Sequence, residues 1–303
     1  MTHSQLQRAR SLALPTRDAT LRRDPSVARF WEQNRALLNG AWREWEAHEQ
    51  DHLPLLDDTL LDARLRDAVA AALADPTTEA SVESLWQRVA PGVFQCQFFD
   101  PERLRDLRDY LVAASDAQIP VRPPYGIVLN RHGMMLDRRS SGYLAAPSFQ
   151  ALYGRILDAY MRPISRLLFP EIVGFDTQSF GFSIQYRPGM DTSIRPHTDA
   201  SAVTLNINLN LPGESFSGSS VDFFAPRTGR PSTFVFAPGV AVLHRGSVAH
   251  AARPITSGAR TNFVLWLYGD QGRMPPRGSA PATTDARTRW TALSAASDGF
   301  APF

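Results

Sequence analysis

The stretch AVTLNINLNL, residues 202–211, constrains the fold of this chain more than any other, because every second residue in it is polar. In an extended chain Val203, Leu205, Ile207, Leu209 and Leu211 share one face, and Thr204, Asn206, Asn208 and Asn210 share the other. So strict a period of two excludes a helix and predicts a strand with one face on a core. A strand face open to water usually carries charge or threonine, and asparagine is a poor strand former. Three asparagines in alternation therefore predict a polar face that looks into a pocket, with the apolar face packed on helices. Just upstream stand His197 and Asp199 in RPHTD. Residues two apart in an extended segment project to the same side, so an imidazole and a carboxylate can converge on one ion. No turn signal separates the pair from the alternating run, which reads as its direct continuation.

The rest of the chain supplies both layers. Asp24-Pro25 predicts a helix start, with Phe30, Leu37, Leu38, Ala41 and Trp45 recurring at helical spacing. DDTLLDARLRDAVAAALAD predicts another helix, capped at Asp57 and Asp58, with Leu61, Leu65, Val69 and Leu73 on one face. GVFQCQFF reads as a short strand and PERLRDLRDYLVAAS as a helix; PSFQALYGRILDAYMRPISRLLF is helical with a kink or break at Pro163. From about Gln178 the texture changes to short β-rich runs separated by Pro, Gly and Ser, the pattern of an antiparallel sandwich or barrel. Three segments are predicted: a helical extension over 1–90, a β domain with supporting helices over 91–269, and a loop-rich tail over 270–303.

Bulk properties narrow the function classes. A net charge of +2 gives no field that argues for nucleic acid or an anionic membrane. The single cysteine, Cys96, excludes an internal disulfide and a cysteine-held metal cluster, and its apolar setting predicts packing. The first residues show no leader pattern and no apolar run is long enough to span a bilayer, so the expected setting is cytoplasmic.

A third ligand for the His-x-Asp pair is offered by HRGSVAHAARPITSGARTNFVLWLYG, where both His244 and His250 qualify and Arg260 follows on a strand. Two histidines and one carboxylate leave open positions on Fe(II) for a bidentate co-substrate and oxygen. HTD at 197–199, the distal His250, and Gly258-Ala-Arg260 before a strand containing Trp266 resemble the Fe(II)/2-oxoglutarate-dependent dioxygenases, in the prolyl/lysyl hydroxylase-like branch. The likeness runs through YGIVLN, PISRLLFP and FGFSIQYRPGMDTSIRPHTD and covers roughly Pro123 to Gly269; the first hundred residues do not share it.

The resemblance implies an α+β chain with a double-stranded β-helix (jelly-roll, cupin-like) core and a helical N-terminal region packed on one sheet. It implies that His197, Asp199 and His250 hold Fe(II), and that Arg260 grips the far carboxylate of 2-oxoglutarate, a task suited to a planar guanidinium. Tyr186 and Asn208 would add hydrogen bonds to that co-substrate, and Asn206 would sit deeper or nearer the metal. Trp266 shares parity with Arg260 and so reaches either the pocket wall or the core; His244 would support a ligand, and His132 would face substrate from a loop. The implied reaction is hydroxylation of an unactivated C–H bond of an amino acid, peptide or related small metabolite, using O2 and releasing succinate and CO2, with ascorbate as an expected stimulant. Desaturation or epoxidation would use the same site. The alternative from another class is a non-catalytic, metal-binding, cupin-like sensor. One departure stands out: the family often has Gly-Gly after an acidic-Phe turn, where this chain has ESFSGSS with Ser219 at the second glycine. Retention of Asp199 separates the chain from halogenating relatives, in which a small residue takes that place.

Overall fold

The structure, a computed structural model, describes residues 4–124, 133–190, 192–276, 278–279, 284–291 and 302. YGIVLN and His132 lie outside the described residues. The helices are α1 (Gln5–Arg10), α2 (Arg17–Leu21), α3 (Pro25–Gln33), α4 (Arg35–Glu49), α5 (Ala63–Ala74), α6 (Ala80–Glu83), α7 (Leu104–Asp116), α8 (Pro147–Arg155), α9 (Arg162–Leu168) and α10 (Ala286–Trp290). The strands are β1 (Gln87–Ala90), β2 (Val93–Gln97), β3 (Gln178–Tyr186), β4 (Ile194–His197), β5 (Val203–Asn208), β6 (Ser217–Gly218), β7 (Val221–Phe224), β8 (Pro231–Phe234), β9 (Val240–Arg245), β10 (His250–Ala252), β11 (Ile255–Ser257) and β12 (Arg260–Tyr268).

These strands form a six-stranded sheet in the order β1-β2-β9-β5-β12-β3, a four-stranded sheet in the order β4-β10-β7-β8, and a small β11-β6 ribbon. Every pairing is antiparallel. From β3 to β12 the chain passes repeatedly between the two large sheets: β3, β5, β9 and β12 lie in one, β4, β7, β8 and β10 in the other. That connectivity is a double-stranded β-helix, with most sequential strands falling in opposite sheets and the β7-β8 hairpin lying side by side in one of them. β12 is buried along almost its whole length between β3 and β5, as its near-continuous apolar run FVLWLY requires.

The alternation of β5 divides as its sequence predicts. Val203, Leu205, Ile207 and Leu209 enter the large core shared with the helices, among them Phe149, Leu152, Ile156 and Ile164. Phe149 of α8 meets Phe263 of β12 edge-on at 6.0 Å, tying helix layer to sheet. Thr204 and Asn206 turn to the opposite side, between the two sheets.

Several expectations need correction. The alternating strand does not continue from His197. β4 ends there in the smaller sheet, and residues 198–202 bend across to the larger one before β5 begins. Small residues and close packing make this bend without a Gly or Pro in it, so the sequence shows no turn. Gly246 is pressed against it: a Cβ there would lie 1.9 Å from the Ser201 carbonyl oxygen. The helix after Leu61 begins later than expected, with Asp62 as its cap accepting from the Leu65 amide; Ala72 rather than Leu73 is buried, and Leu73 is exposed. The regular helix is interrupted ahead of Pro163. One π-helical stretch, Ile156–Met161, widens the turn ahead of it and joins α8 to α9, so the proline ring occupies the start of a new helical segment. Within the segment after residue 269, α10 buries Trp290 against the helical layer. Among the described residues no helix is long and apolar enough to cross a membrane.

Candidate metal centre

β4 and β10 pair with His197 directly opposite His250, which brings the two imidazole rings to 4.3 Å between centroids. Asp199 stands in the bend just beyond β4, where its amide donates to the Gly246 carbonyl at 2.9 Å. One ligand atom from each of His197, Asp199 and His250 lies within 4.8 Å of the others. Nε2 of His197 is 3.5 Å and Nε2 of His250 is 3.8 Å from Oδ1 of Asp199. The other ring nitrogens are held by the backbone: Nδ1 of His197 bonds the Arg195 carbonyl at 2.7 Å and Nδ1 of His250 the Val248 carbonyl at 3.0 Å. A carbonyl only accepts, so each Nδ1 carries a proton and Nε2 is the ring nitrogen left to face the metal position. Imidazoles so oriented and a buried carboxylate are the donor set that a divalent ion needs. The residues fit a metal.

The electrostatics agree. Burial by itself raises the Asp199 carboxyl, but hydrogen bonding with His197, the nearby His250 and His244 rings and the Thr204 hydroxyl outweigh it and hold the group well below the usual carboxylate range. Burial lowers His250, and burial followed by the neighbouring His250 pushes His244 down to about 4. For His197 the lowering by burial is outweighed by its bonds to Asp199 and the Arg195 carbonyl, and it titrates above the usual imidazole value. The carboxylate is charged and the two deeper imidazoles are neutral, the protonation states that metal ligands require.

The cavity that opens onto these three side chains is lined also by Tyr186, Thr204, Asn206, His244, Arg260 and Trp266, with Phe182, Ile184, Val221, Phe223 and Val264 as apolar wall. Arg260 begins β12 directly opposite Tyr186 at the end of β3. Its side chain is buried, and the guanidinium lies 4.3 Å from the Tyr186 ring centroid and 5.1 Å from that of Phe236. Trp266 lines the cavity and packs 5.4 Å from Phe180, serving wall and core at once. His244 is wholly buried, with Nδ1 on the Arg245 carbonyl at 3.0 Å and Nε2 3.8 Å from the second oxygen of Asp199.

Asn208 does not line the cavity. It is fully buried, and its amide donates to Asn210, Asn262 and the Thr261 carbonyl at 3.1–3.3 Å. Asn210 in turn accepts from the Thr261 amide at 3.0 Å and donates to the Ala259 carbonyl at 2.7 Å, so it holds the backbone on both sides of Arg260. Asn262, a residue the sequence reading missed, donates to Asn206 at 2.6 Å. A buried amide left unpaired costs about 1–3 kcal/mol. The asparagine row is therefore a bonded frame under Arg260, of which only Asn206 reaches the cavity. Ser219 keeps a left-handed backbone, φ 54°, next to Gly218 at φ 75°, so the turn retains a glycine-type conformation without the second glycine.

Comparison with known proteins bears on the same segment. Residues 177–268 match the family model described as the 2OG-Fe(II) oxygenase superfamily. The chain is 30% identical over 191 residues to the 2-oxoglutarate and iron-dependent oxygenase domain-containing protein ICU11 of Arabidopsis thaliana, covering 58% of this chain and 45% of that protein. It is 28% identical over 226 residues to 2-oxoglutarate and iron-dependent oxygenase domain-containing protein 2 of Homo sapiens, covering 71% and 61%. Over 121 residues it is 34% identical to the multifunctional procollagen lysine hydroxylase and glycosyltransferase LH3 of Rattus norvegicus, covering 38% and 15%. The chain thus spans about half the length of the first of these relatives and a small part of the last. The segment that matches the 2OG-Fe(II) oxygenase superfamily model, residues 177–268, is thus the one that carries His197, Asp199 and His250.

Proposed function

We propose that the chain is an Fe(II)- and 2-oxoglutarate-dependent oxygenase that hydroxylates an unactivated C–H bond of an amino acid, a peptide or a related small metabolite, with release of succinate and CO2. The observation that carries this reading is a single cavity with His197, Asp199 and His250 converging at one end and the Arg260 guanidinium buried in its wall. Ferrous iron held by those three side chains would supply, with 2-oxoglutarate and O2, the oxidising power for the C–H bond.

The protein's own part is positioning and exclusion. Arg260 offers a planar fork to a carboxylate, and the Tyr186 and Phe236 rings keep that plane in place. Tyr186 and Asn206, both on the cavity wall, offer hydrogen bonds to the same co-substrate. Phe182, Ile184, Val221, Phe223 and Val264 keep bulk water from the reacting end, where a fixed polar environment has most effect. The opening lies on the side of His197, whose side chain is 33% exposed against 6% for Asp199 and 13% for His250, so the substrate C–H bond arrives there.

The test is succinate release from 2-oxoglutarate by the full chain with Fe(II) and ascorbate, followed by mass spectrometry for the gain of one oxygen across amino acid, peptide and metabolite pools. Succinate above the background of a His197→Ala variant is expected. Iron bound with no turnover of 2-oxoglutarate under any pool would refute the reading.

A further inference from the structure

We propose that Thr204, backed by Ser201, is a positioning residue that holds the Asp199 carboxylate so that Oδ1 alone is presented to the metal. The inference rests on the metal site described above and concerns how one of its ligands is oriented.

The two oxygens of Asp199 have different surroundings. Oδ1 faces Nε2 of His197 at 3.5 Å and of His250 at 3.8 Å. Oδ2 is turned away from that pair and accepts a hydrogen bond from Thr204 Oγ1 at 2.6 Å. Nε2 of His244 lies on the same side, 3.8 Å from Oδ2, but Nδ1 of that ring carries the proton for the Arg245 carbonyl. At 3.8 Å, Nε2 of His244 lies beyond hydrogen-bond distance of Oδ2. Among the described residues Thr204 is the hydrogen-bond donor to Oδ2.

The direction of the chain follows from the same logic. A carboxylate only accepts, so the single Thr204 proton points at Asp199, and the Ser201 hydroxyl, 2.9 Å from Thr204 Oγ1 and buried, must donate to it. Ser201 to Thr204 to Asp199 is a one-way relay in which each bond polarises the next. Its base is rigid: Thr204 sits inside β5, in register with His244 on β9 and Trp266 on β12. The Asp199–Ser201 bend is clamped by Gly246, whose amide donates to the Ala202 carbonyl at 3.0 Å while its carbonyl accepts from the Asp199 amide. A carboxylate so held cannot rotate to offer both oxygens to one ion, which preserves coordination positions for other ligands.

The test uses the full chain stripped of metal, with cobalt(II) as the probe, no 2-oxoglutarate, and two readouts: the calorimetric dissociation constant and the d–d absorption of bound cobalt. Thr204→Val keeps the shape and removes the donor. It is expected to weaken cobalt binding by about 10–100-fold, as partners of metal ligands commonly do, and to alter the absorption as Oδ2 becomes free to bind. Thr204→Ser is expected to restore both readouts towards wild type, and Ser201→Ala to shift them in the same direction by less than Thr204→Val. Wild-type affinity and spectrum in Thr204→Val, or no restoration by Thr204→Ser, would overturn the proposal while leaving the metal site intact. Failure of the wild-type chain to bind cobalt would overturn the metal site and this inference together. Should Thr204→Val fail to fold in a melting experiment, Ser201→Ala decides: an unchanged affinity and spectrum there overturns the relay.

Discussion

Replacing Arg260 by lysine keeps the charge and removes the fork. The side chain is 1% exposed at the first position of β12, so water cannot compensate for a lost contact there. A guanidinium gives a carboxylate two parallel charge-assisted hydrogen bonds, whereas a lysine ammonium at the same place gives one. Each such bond contributes about 1.5–3 kcal/mol. Losing one corresponds to a roughly 10–150-fold weaker hold on 2-oxoglutarate, at 1.4 kcal/mol per decade. The Tyr186 and Phe236 ring centroids, 4.3 and 5.1 Å from the guanidinium carbon, sharpen the expectation, because a tetrahedral ammonium offers no plane to stack on them. The assay is succinate release against 2-oxoglutarate concentration at saturating Fe(II), with a thermal melt of each variant. KM for 2-oxoglutarate should rise by the stated factor, with kcat at saturation within a few-fold of wild type, since the metal ligands are untouched. An unchanged KM, or a collapse of kcat with KM unaltered, would show that this guanidinium does not bind the co-substrate.

Two further expectations concern the histidines of the site and the buried Asp137. His250→Ala should abolish stoichiometric iron binding while His244→Ala retains it, because only His250 joins the close group with His197 and Asp199; atomic absorption on the two purified variants checks this, and equal losses would overturn it. Asp137 is buried and accepts bonds from Ser179 (2.7 Å), Tyr153 (2.9 Å) and the Arg139 amide (2.8 Å), yet burial pushes its carboxyl above the usual range. A carboxyl raised on folding contributes stability below its unfolded value of about 3.9 and loses it as pH rises through the folded value. Asn at this position does not ionise, so urea unfolding from about pH 4 to about pH 7 should show the stability of Asp137→Asn improving relative to wild type; a constant gap across that range would contradict it.

The parts of the site most legible in sequence were those written in period-two strands. Alternation in 202–211 correctly separated the core face from the polar face, whereas the pairing of Arg260 opposite Tyr186 is a register that only the structure shows. The bend between His197 and β5 was not legible, since Asp199, Ala200 and Ser201 carry no turn signature and Gly246, which makes room for them, lies 45 positions away in sequence. The fate of Asn208 was hidden for a related reason. Parity gives the side of a sheet but not the depth along it, and its partners Thr261 and Asn262 come from a different strand. Asn262 itself looked like one polar residue in an apolar run, and only its bond to Asn206 shows what it does. Pro163 marked the interruption of its helix, but the π-helical form of that interruption leaves no mark in the composition around it.

The docking of α10 has a practical corollary for anyone shortening this chain. Arg166 of α9 is enclosed, bonded to Asp176 at 2.5 Å and to the carbonyls of Arg289 and Thr291 at 3.3 and 2.9 Å. Glu79, from the helices that precede the sheets, holds Arg289 and also accepts from the Trp290 indole at 2.9 Å. The segments before and after the strands are thereby tied to each other. A fragment ending at residue 269 would leave the buried Arg166 guanidinium with Asp176 alone of these three acceptors, so loss of activity in such a fragment would say nothing about the cavity.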